Sequence, residues 1–389
     1  ELNDLLRRYG HEVIPFAMQH PNNLPCEFSP YFVSEVNYWD EPSFQDKTKA
    51  AARTLFSAEA RKKVGALLKA TRPALAHIHL IYHQISPSIL PVLKNYGLPI
   101  VQTLHDYKPI CGTYSMLSKD KVCERCKGKK FYASILERCN KNSLPASILT
   151  AFEMYLHHGL GWYDLPDLYI APSAFLRQKM IEFGFQPEKI VHVPNFVDST
   201  KFSPSEESDD YIVYAGRLSS SKGVGTLLKA MSLLKSVPTK LLILGDGPQR
   251  PELERTKHDL GLDKVQFLGH QPLSTLTNIV ARAKAVVVPS EWYENCPMAV
   301  LEAMAMGKAV LASRIGGIPE LVTEGETGVL FEPGNAEDLA RQLQTLLASR
   351  DTLEAMGVEA RRVAAEKYSP ECHYQQTLGL YNLLLGLSS

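Results

Sequence analysis

Apolar residues along the chain gather into runs of four to seven, and between them lie longer stretches in which apolar and polar positions alternate with a helical period. Runs that stay apolar at consecutive positions suit strands covered on both faces, the condition of a parallel sheet flanked by helices. The pattern predicts strands near 12–17, 75–80, 99–104, 168–172 and 190–193 in the first half. In the second half it predicts them near 211–215, 240–244, 265–268, 285–289, 309–312 and 328–331. Helices are expected in most gaps, among them 223–235 and 297–306, and three more follow the last strand near 335–348, 351–366 and 369–385.

This alternation of strand and helix predicts an α/β fold. The segment 194-PNFVDSTKFSPSEESDD-210 follows neither period and is rich in proline, serine and acids, so a domain boundary is placed there. The expected organisation is two doubly wound, Rossmann-like domains facing a cleft. Residues 1–195 form the first, with a cysteine-rich insertion at 108–141; residues 196–368 form the second; and 369–389 are a last helix crossing back to the first. The opening ELNDLLRRYGHEVIPFAM looks like the back half of a helix, a glycine stop and a strand. An α/β domain normally begins with a strand and loop before such a helix, so the first strand is expected to be missing from this chain.

Composition narrows the class without changing it. With 389 residues, 45% hydrophobic and 22% charged, the chain is ordinary for a globular protein of two domains. No apolar run approaches the roughly 18 residues that would span a bilayer, and a cytoplasmic location, peripheral on the inner membrane face, is expected. Residues 1–197 carry a net +5, and segment 119–141 alone holds 8 basic and 3 acidic residues. A patch so local excludes a nucleic-acid-binding domain and leaves a solvated loop, an anionic acceptor or a membrane surface open. The apolar stretch 144-LPASILTAFEMYLHHGLGWY-163 beyond it fits a core or covering helix, or one that faces a membrane.

Candidate chemistry lies where strands end. In 211-YIVYAGRLSSSKGVGTLLKA-230 a strand gives way to a polar loop and then a helix, with Arg217 and Lys222 on either side of the loop. Free amides and the positive dipole end at a helix start suit a phosphate, and two cations there can neutralise a diphosphate without a metal. Gly247, in 244-LGDGP-248, permits close backbone approach, and 269-GHQP-272 offers a wall for a flat base. The loop Glu294, Asn295, Cys296 leads into Pro297 and Met298 at the start of a helix, with Pro297 expected at its first position. Helical side chains lean toward their own N-terminus, so Glu302 points back to the space that Glu294 reaches from above. Carboxylates bond well to the paired hydroxyls of a sugar or ribose.

Taken together, HDY at 105–107, APS at 171–173, VPNFVD at 193–198, GRLSSSKG at 216–223, LGDGP at 244–248, the Glu294–Glu302 pair (E-x7-E) and GGIPELV at 316–322 resemble the retaining family-4 glycosyltransferases. The resemblance implies a GT-B fold with a nucleotide-sugar (UDP or GDP) in the second domain and a glycan or lipid-linked glycan acceptor at the first. It implies that Arg217 and Lys222 hold the diphosphate, Glu302 the ribose, and Glu294 with the amides of 295–298 the donor sugar. His105 would reach that sugar across the cleft. No Asp-x-Asp ends a strand, in keeping with catalysis that needs no metal cofactor. A GT-B epimerase or phosphorylase and a nucleotide-sugar-binding protein that has lost catalysis are the competing functions.

Two clusters stand outside this scheme. Cys111, Cys123, Cys126 and Cys139 have the spacing C-x11-C-x2-C-x12-C, which fits a structural zinc knuckle, a disulfide pair or unrelated thiols. His77, His79 and His83 carry no accompanying carboxylate and fit acceptor-side or satisfied core histidines better than a metal site.

Overall fold

The computed structural model describes residues 1–36, 44–205, 207–234 and 239–387. A first, four-stranded sheet contains Ala76–Ile78 (β1) and Ile100–Thr103 (β2). After a hairpin of Leu117–Ser118 (β3) and Lys121–Val122 (β4), it continues with Leu168–Ala171 (β5) and Ile190–His192 (β6). Its order is β1-β2-β5-β6, every pair parallel. The second sheet holds Tyr211–Ala215 (β7), Lys240–Leu244 (β8), Val265–Gly269 (β9), Ala285–Val288 (β10), Ala309–Ser313 (β11) and Gly328–Phe331 (β12). It is also parallel, in the order β12-β11-β10-β7-β8-β9. Two Rossmann-like α/β domains result, as the alternation of strand and helix predicts.

The centre of the second sheet explains why its strands are apolar throughout. Every residue of β10 and β11 is buried. Val286, Val288, Val310 and Ala312 pack with Val300, Leu301 and Met304 of helix Met298–Ala305 and with Ala360 and Val363 of helix Arg350–Lys367. The alternate residues Ala285, Val287, Ala309 and Leu311 pack on the other face with Leu227 and Leu228 of helix Val224–Leu233 and Leu339 and Leu343 of helix Ala336–Leu347. Period-two geometry thus sends each run into two separate cores, and each buried valine or leucine contributes roughly 1.5–3 kcal/mol.

Three expectations need correction. Residues 12–17 form no strand: among the described residues their neighbourhood makes only the isolated bridge Met18–Val33, and a strand without a ladder partner is merely extended chain. Pro297 is the cap of its helix, with φ −69° and ψ 119°, and the first helical residue is Met298. The helix expected over 223–235 is Val224–Leu233, and residue 235 lies outside the described residues.

The last helix, Pro370–Leu385, lies against the first sheet, with Tyr381 packed on Val101, Ile170 and Val193. Tyr374 stacks on Tyr9 with ring centroids 3.8 Å apart. The helix Leu144–Gly159 covers the insertion and turns Glu153 inward to Lys108, the two side chains meeting at 2.7 Å with almost no exposure.

Candidate active site

In the second sheet β7 and β10 are neighbours, and the chain leaves them in opposite directions, toward β8 on one side and β11 on the other. The crevice beyond the carboxyl ends of two such strands is where open α/β sheets bind ligands. The loops that flank it follow β7 and β10, and they carry Lys222 and Glu294. Lys222 Nζ donates to Glu294 Oε1 at 2.6 Å, and Ser290 Oγ donates to the same oxygen at 2.6 Å. Glu294 is 5% exposed. The ammonium of Lys222 also stands 5.4 Å from the Trp292 ring centroid. Gly223, at φ +67°, closes the turn before the helix, and a Cβ there would lie 1.8 Å from the Pro289 carbonyl oxygen. Only glycine lets the two loops approach this closely.

The stretch 294–298 is held from below by a second glycine pair. A Cβ on Gly316 would lie 2.3 Å from the Glu294 carbonyl oxygen, and one on Gly317 only 1.9 Å from that of Asn295. Gly317 N donates to Glu294 O at 2.7 Å. The Asn295 side chain faces the first domain: its Nδ2 donates to the Leu104 carbonyl at 2.9 Å, and its Oδ1 accepts from Ser173 Oγ at 2.8 Å. Asn195 Nδ2 donates to the Cys296 carbonyl at 3.1 Å. Burial pushes the Cys296 thiol up to about 12, so it stays a neutral, unreactive group.

The other expected residues have less company. Arg217 is exposed, and among the described residues its guanidinium forms no ion pair. Its charge reaches the Tyr114 hydroxyl of the first domain. Glu302 is half-buried on helix Met298–Ala305, and burial first, then the neighbouring Glu1, raises its pKa. Gly247 is needed for packing, since a Cβ would meet the Leu218 carbonyl oxygen at 2.3 Å and its nitrogen at 2.7 Å.

Across the cleft, His105 follows β2 directly. Its Nε2 shares a hydrogen bond of 2.7 Å with His79 Nδ1, and its own Nδ1 has no hydrogen-bond partner among the described residues. Behind them His77 is satisfied on both nitrogens, by Tyr381 Oη at 2.5 Å and Thr103 Oγ1 at 2.7 Å. Burial lowers the pKa of His105 and His77 and brings His79, His83 and His158 each down to about 4. Burial also raises the Asp106 carboxyl to about 6.

The two shifts act oppositely with pH. A histidine depressed in the folded state is neutral there while its unfolded counterpart takes up a proton, so stability falls as pH drops from about 6.5 toward about 4. Asp106, raised in the folded state, is most favourable below its unfolded pKa, and its contribution is lost as pH rises toward 6. Three histidines outweigh one carboxyl. Unfolding free energies from urea titrations between pH 7 and pH 4.5 should therefore fall by about 1.4 kcal/mol per pH unit for each net proton taken up; a flat profile would mean that the histidines are not desolvated as described.

This geometry can be set beside known proteins. The family model described as Glycosyltransferase Family 4 matches residues 1–201, and that described as Glycosyl transferases group 1 matches 197–363. The chain belongs to the GT-B glycosyltransferases. It is 36% identical over 314 residues to sulfoquinovosyl transferase of Arabidopsis thaliana, covering 74% of this chain and 53% of that protein. It is 30% identical over 268 residues to the lipopolysaccharide 1,2-N-acetylglucosaminetransferase of Salmonella typhimurium, covering 62% and 67%. The chain thus spans about half the length of the first of these relatives. Among solved structures, sucrose-phosphate synthase from Thermosynechococcus elongatus superposes with a TM-score of 0.72 at 21% identity, covering 100% of this chain and 92% of that one. Anabaena HepE in complex with UDP superposes at 0.63 and 19%, covering 83% and 82%.

Of the three readings of the cysteine cluster in this glycosyltransferase, the zinc knuckle is not supported. Among the described residues no group of three or more His, Cys, Asp or Glu is placed to hold a metal ion, and all seven cysteines are free. Cys111, Cys123, Cys126 and Cys139 do line one small cavity with Met116 and Phe183. Burial in that wall, reinforced by the neighbouring cysteines, pushes the Cys126 thiol up to about 12.

Two residues of the glycosyltransferase domains have no role that the sequence alone assigns. Glu320, within GGIPELV, accepts from the amides of Ala174 and Phe175 at 2.7 Å each, capping helix Ala174–Glu182 of the first domain. Asp106 lies within HDY and was passed over beside its histidine. Both are members of motifs, but nothing local shows that Glu320 meets a helix of the other domain or that burial raises the pKa of Asp106.

Proposed function

We propose that the chain is a retaining, metal-independent glycosyltransferase that moves a sugar from a UDP- or GDP-sugar to a glycan or lipid-linked glycan in polysaccharide biosynthesis. In this reading residues 1–195 present the acceptor, 196–368 hold the donor, and the helix beginning at Pro370 ties the two together. The observation that carries it is the contact of Lys222 with Glu294 at the switch point of the second sheet.

Breaking the bond between a sugar and a diphosphate develops negative charge on the phosphate oxygens and positive charge on the ring. Lys222, Arg217 and the start of helix Val224–Leu233 supply positive charge where the diphosphate leaves. Lys222 exchanges its partner for phosphate; the freed Glu294 accepts hydrogen bonds from hydroxyls of the donor sugar, and the backbone N–H groups of Asn295, Cys296 and Met298 donate to the oxygens of that sugar. Glu302 has no side-chain partner of its own among the described residues and takes the ribose hydroxyls. Nδ1 of His105 meets the sugar from the acceptor side. Front-face attack with retention asks for no protein nucleophile, and the acceptor proton departs with the phosphate. Anabaena HepE, which shares the fold, has been crystallised with UDP-glucose, which supports a donor of this class.

A thermal-shift panel with UDP, GDP, ADP and dTDP, with and without EDTA, tests the donor assignment. A nucleotide at about 100 times its Kd adds roughly 2.7 kcal/mol of stability. One nucleotide should stabilise the wild type, keep doing so in EDTA, and lose its effect in Arg217→Ala/Lys222→Ala. A shift that vanishes in EDTA would contradict the metal-independent reading.

A further inference from the structure

The helix Leu144–Gly159 has two unlike faces. Its inner face is buried in the first domain through Ser147, Ala151, Met154 and His157 and carries Glu153, the only charged residue of the helix at neutral pH. The outer face presents Leu144, Ile148, Phe152 and Tyr155, between 43% and 55% exposed. Tyr132 and Leu136, from the adjoining turn of helix Ala133–Leu136, extend the same apolar area at 51% and 72% exposed. The two pieces form one surface: Tyr132 N donates to Tyr155 Oη at 3.2 Å, and the Phe131 and Tyr155 rings meet edge to face at 5.3 Å. Asn140, at the other end, donates to Ser147 and Thr150 of the helix at 3.1 and 2.9 Å.

Basic residues flank Tyr132 and Leu136 in the chain. Lys129, Lys130 and Arg138 are exposed, and among the described residues none of them forms an ion pair. Nearby acids are already engaged: Glu137 with Lys119 and Arg125, and Glu124 with Lys179. The excess positive charge of segment 119–141 is therefore turned outward.

We propose that this face seats the protein on an anionic lipid bilayer. Aromatic and aliphatic side chains without charges among them, flanked in the chain by lysine and arginine, match the acyl–headgroup boundary of such a surface and its negative potential. The helix lies on the bilayer rather than crossing it, and among the described residues no helix is long and apolar enough to cross a membrane. The inner face grips the cleft through Lys108 and Glu153, and His158 Nε2 bonds the Pro109 carbonyl at 2.9 Å. The loop that follows His105 is thereby fixed to the lipid-facing helix, which brings a membrane-borne acceptor beside the cleft. Only this last point rests on the proposed activity; binding to the bilayer does not.

Co-sedimentation separates the two. The wild type should pellet with vesicles of equal parts phosphatidylcholine and phosphatidylglycerol, and not with phosphatidylcholine alone. Ile148→Asp/Phe152→Asp should weaken partitioning at least about tenfold, and Lys129→Glu/Lys130→Glu about fivefold or more for each lysine, each with unchanged thermal melting. Unaltered pelleting of both variants would overturn the proposal, as would failure of the wild type to bind anionic vesicles. A wild type of twice the chain mass in solution that Ile148→Asp/Phe152→Asp returns to single mass would assign the face to a second copy instead. None of these readouts uses a nucleotide-sugar, so a failed donor assignment leaves the result standing.

Discussion

Lys222→Ala is expected to lower kcat about a hundred- to a thousandfold, the range seen when one preorganised charge on a developing anion is removed. The structure gives the reason in two parts. The ammonium sits beside the start of helix Val224–Leu233, where a departing diphosphate is best stabilised, so its loss is felt most when charge accumulates. It is also the partner of Glu294, whose carboxylate is 5% exposed and would keep only Ser290. A buried acceptor deprived of its partner costs about 1–3 kcal/mol, so some loss of stability should accompany the loss of rate. Arg217→Ala provides the contrast. That guanidinium is exposed and enters on binding, so the larger effect is expected in KM for the donor. Steady-state kinetics on both variants, with melting temperatures, decide the matter. A Lys222→Ala enzyme with wild-type kcat would remove the lysine from the leaving group.

How these groups meet was partly legible in the sequence. Runs such as 285-AVVV-288 and 309-AVLAS-313 are apolar at every position because both faces are covered, and they state their own class. The strand expected at 12–17 failed because its apolar residues say nothing about whether a ladder partner lies alongside. Lys222 and Glu294 were each marked as ligand residues from their loops. Their mutual bond was not foreseen, since it depends on β7 and β10 being neighbours, a fact of topology that no local pattern contains. Asn295 shows the same limit: its place next to Glu294 points to its backbone amide, and no local pattern shows that its side chain bridges Leu104 and Ser173 of the other domain. The cysteines gave the opposite lesson, because spacing brought four thiols to one cavity without arranging them as ligands.

The contacts that cross between domains include specific polar ones beside the edge-to-face packing of Tyr293 on Phe175. Glu320 caps a helix of the first domain, Asn295 bridges two of its residues, and Tyr293 Oη donates to Glu124 at 2.9 Å. Each joins a segment that lines the donor loop to one near the acceptor side. Under the proposed function, closure of the cleft and formation of the donor site would be one event. Interfaces of this polar kind allow the domains to separate for substrate entry.

Glu153→Leu should destabilise the protein by about 3–5 kcal/mol, because it leaves the Lys108 ammonium buried without its counter-ion. Lys108 is 0% exposed and retains only the Gly112 carbonyl, at 3.0 Å. His157, 3.7 Å from the carboxylate, cannot replace it, since an imidazole is neutral or cationic and never a counter-ion to an ammonium. Lys108→Met/Glu153→Leu removes both charges and their desolvation together, so most of the loss should be recovered. Urea unfolding of the two variants measures this, and a double variant as unstable as the single one would show that packing rather than charge is at stake. Kinetics on the restored protein then carry a second conclusion. Lys108 lies three residues after His105, and the pair anchors that loop to helix Leu144–Gly159. Recovered stability with a persistently low kcat would mean that the ion pair is kept for the position it gives the loop. Recovery of both would mean that the apolar pair holds His105 equally well and the charges serve no purpose in the reaction.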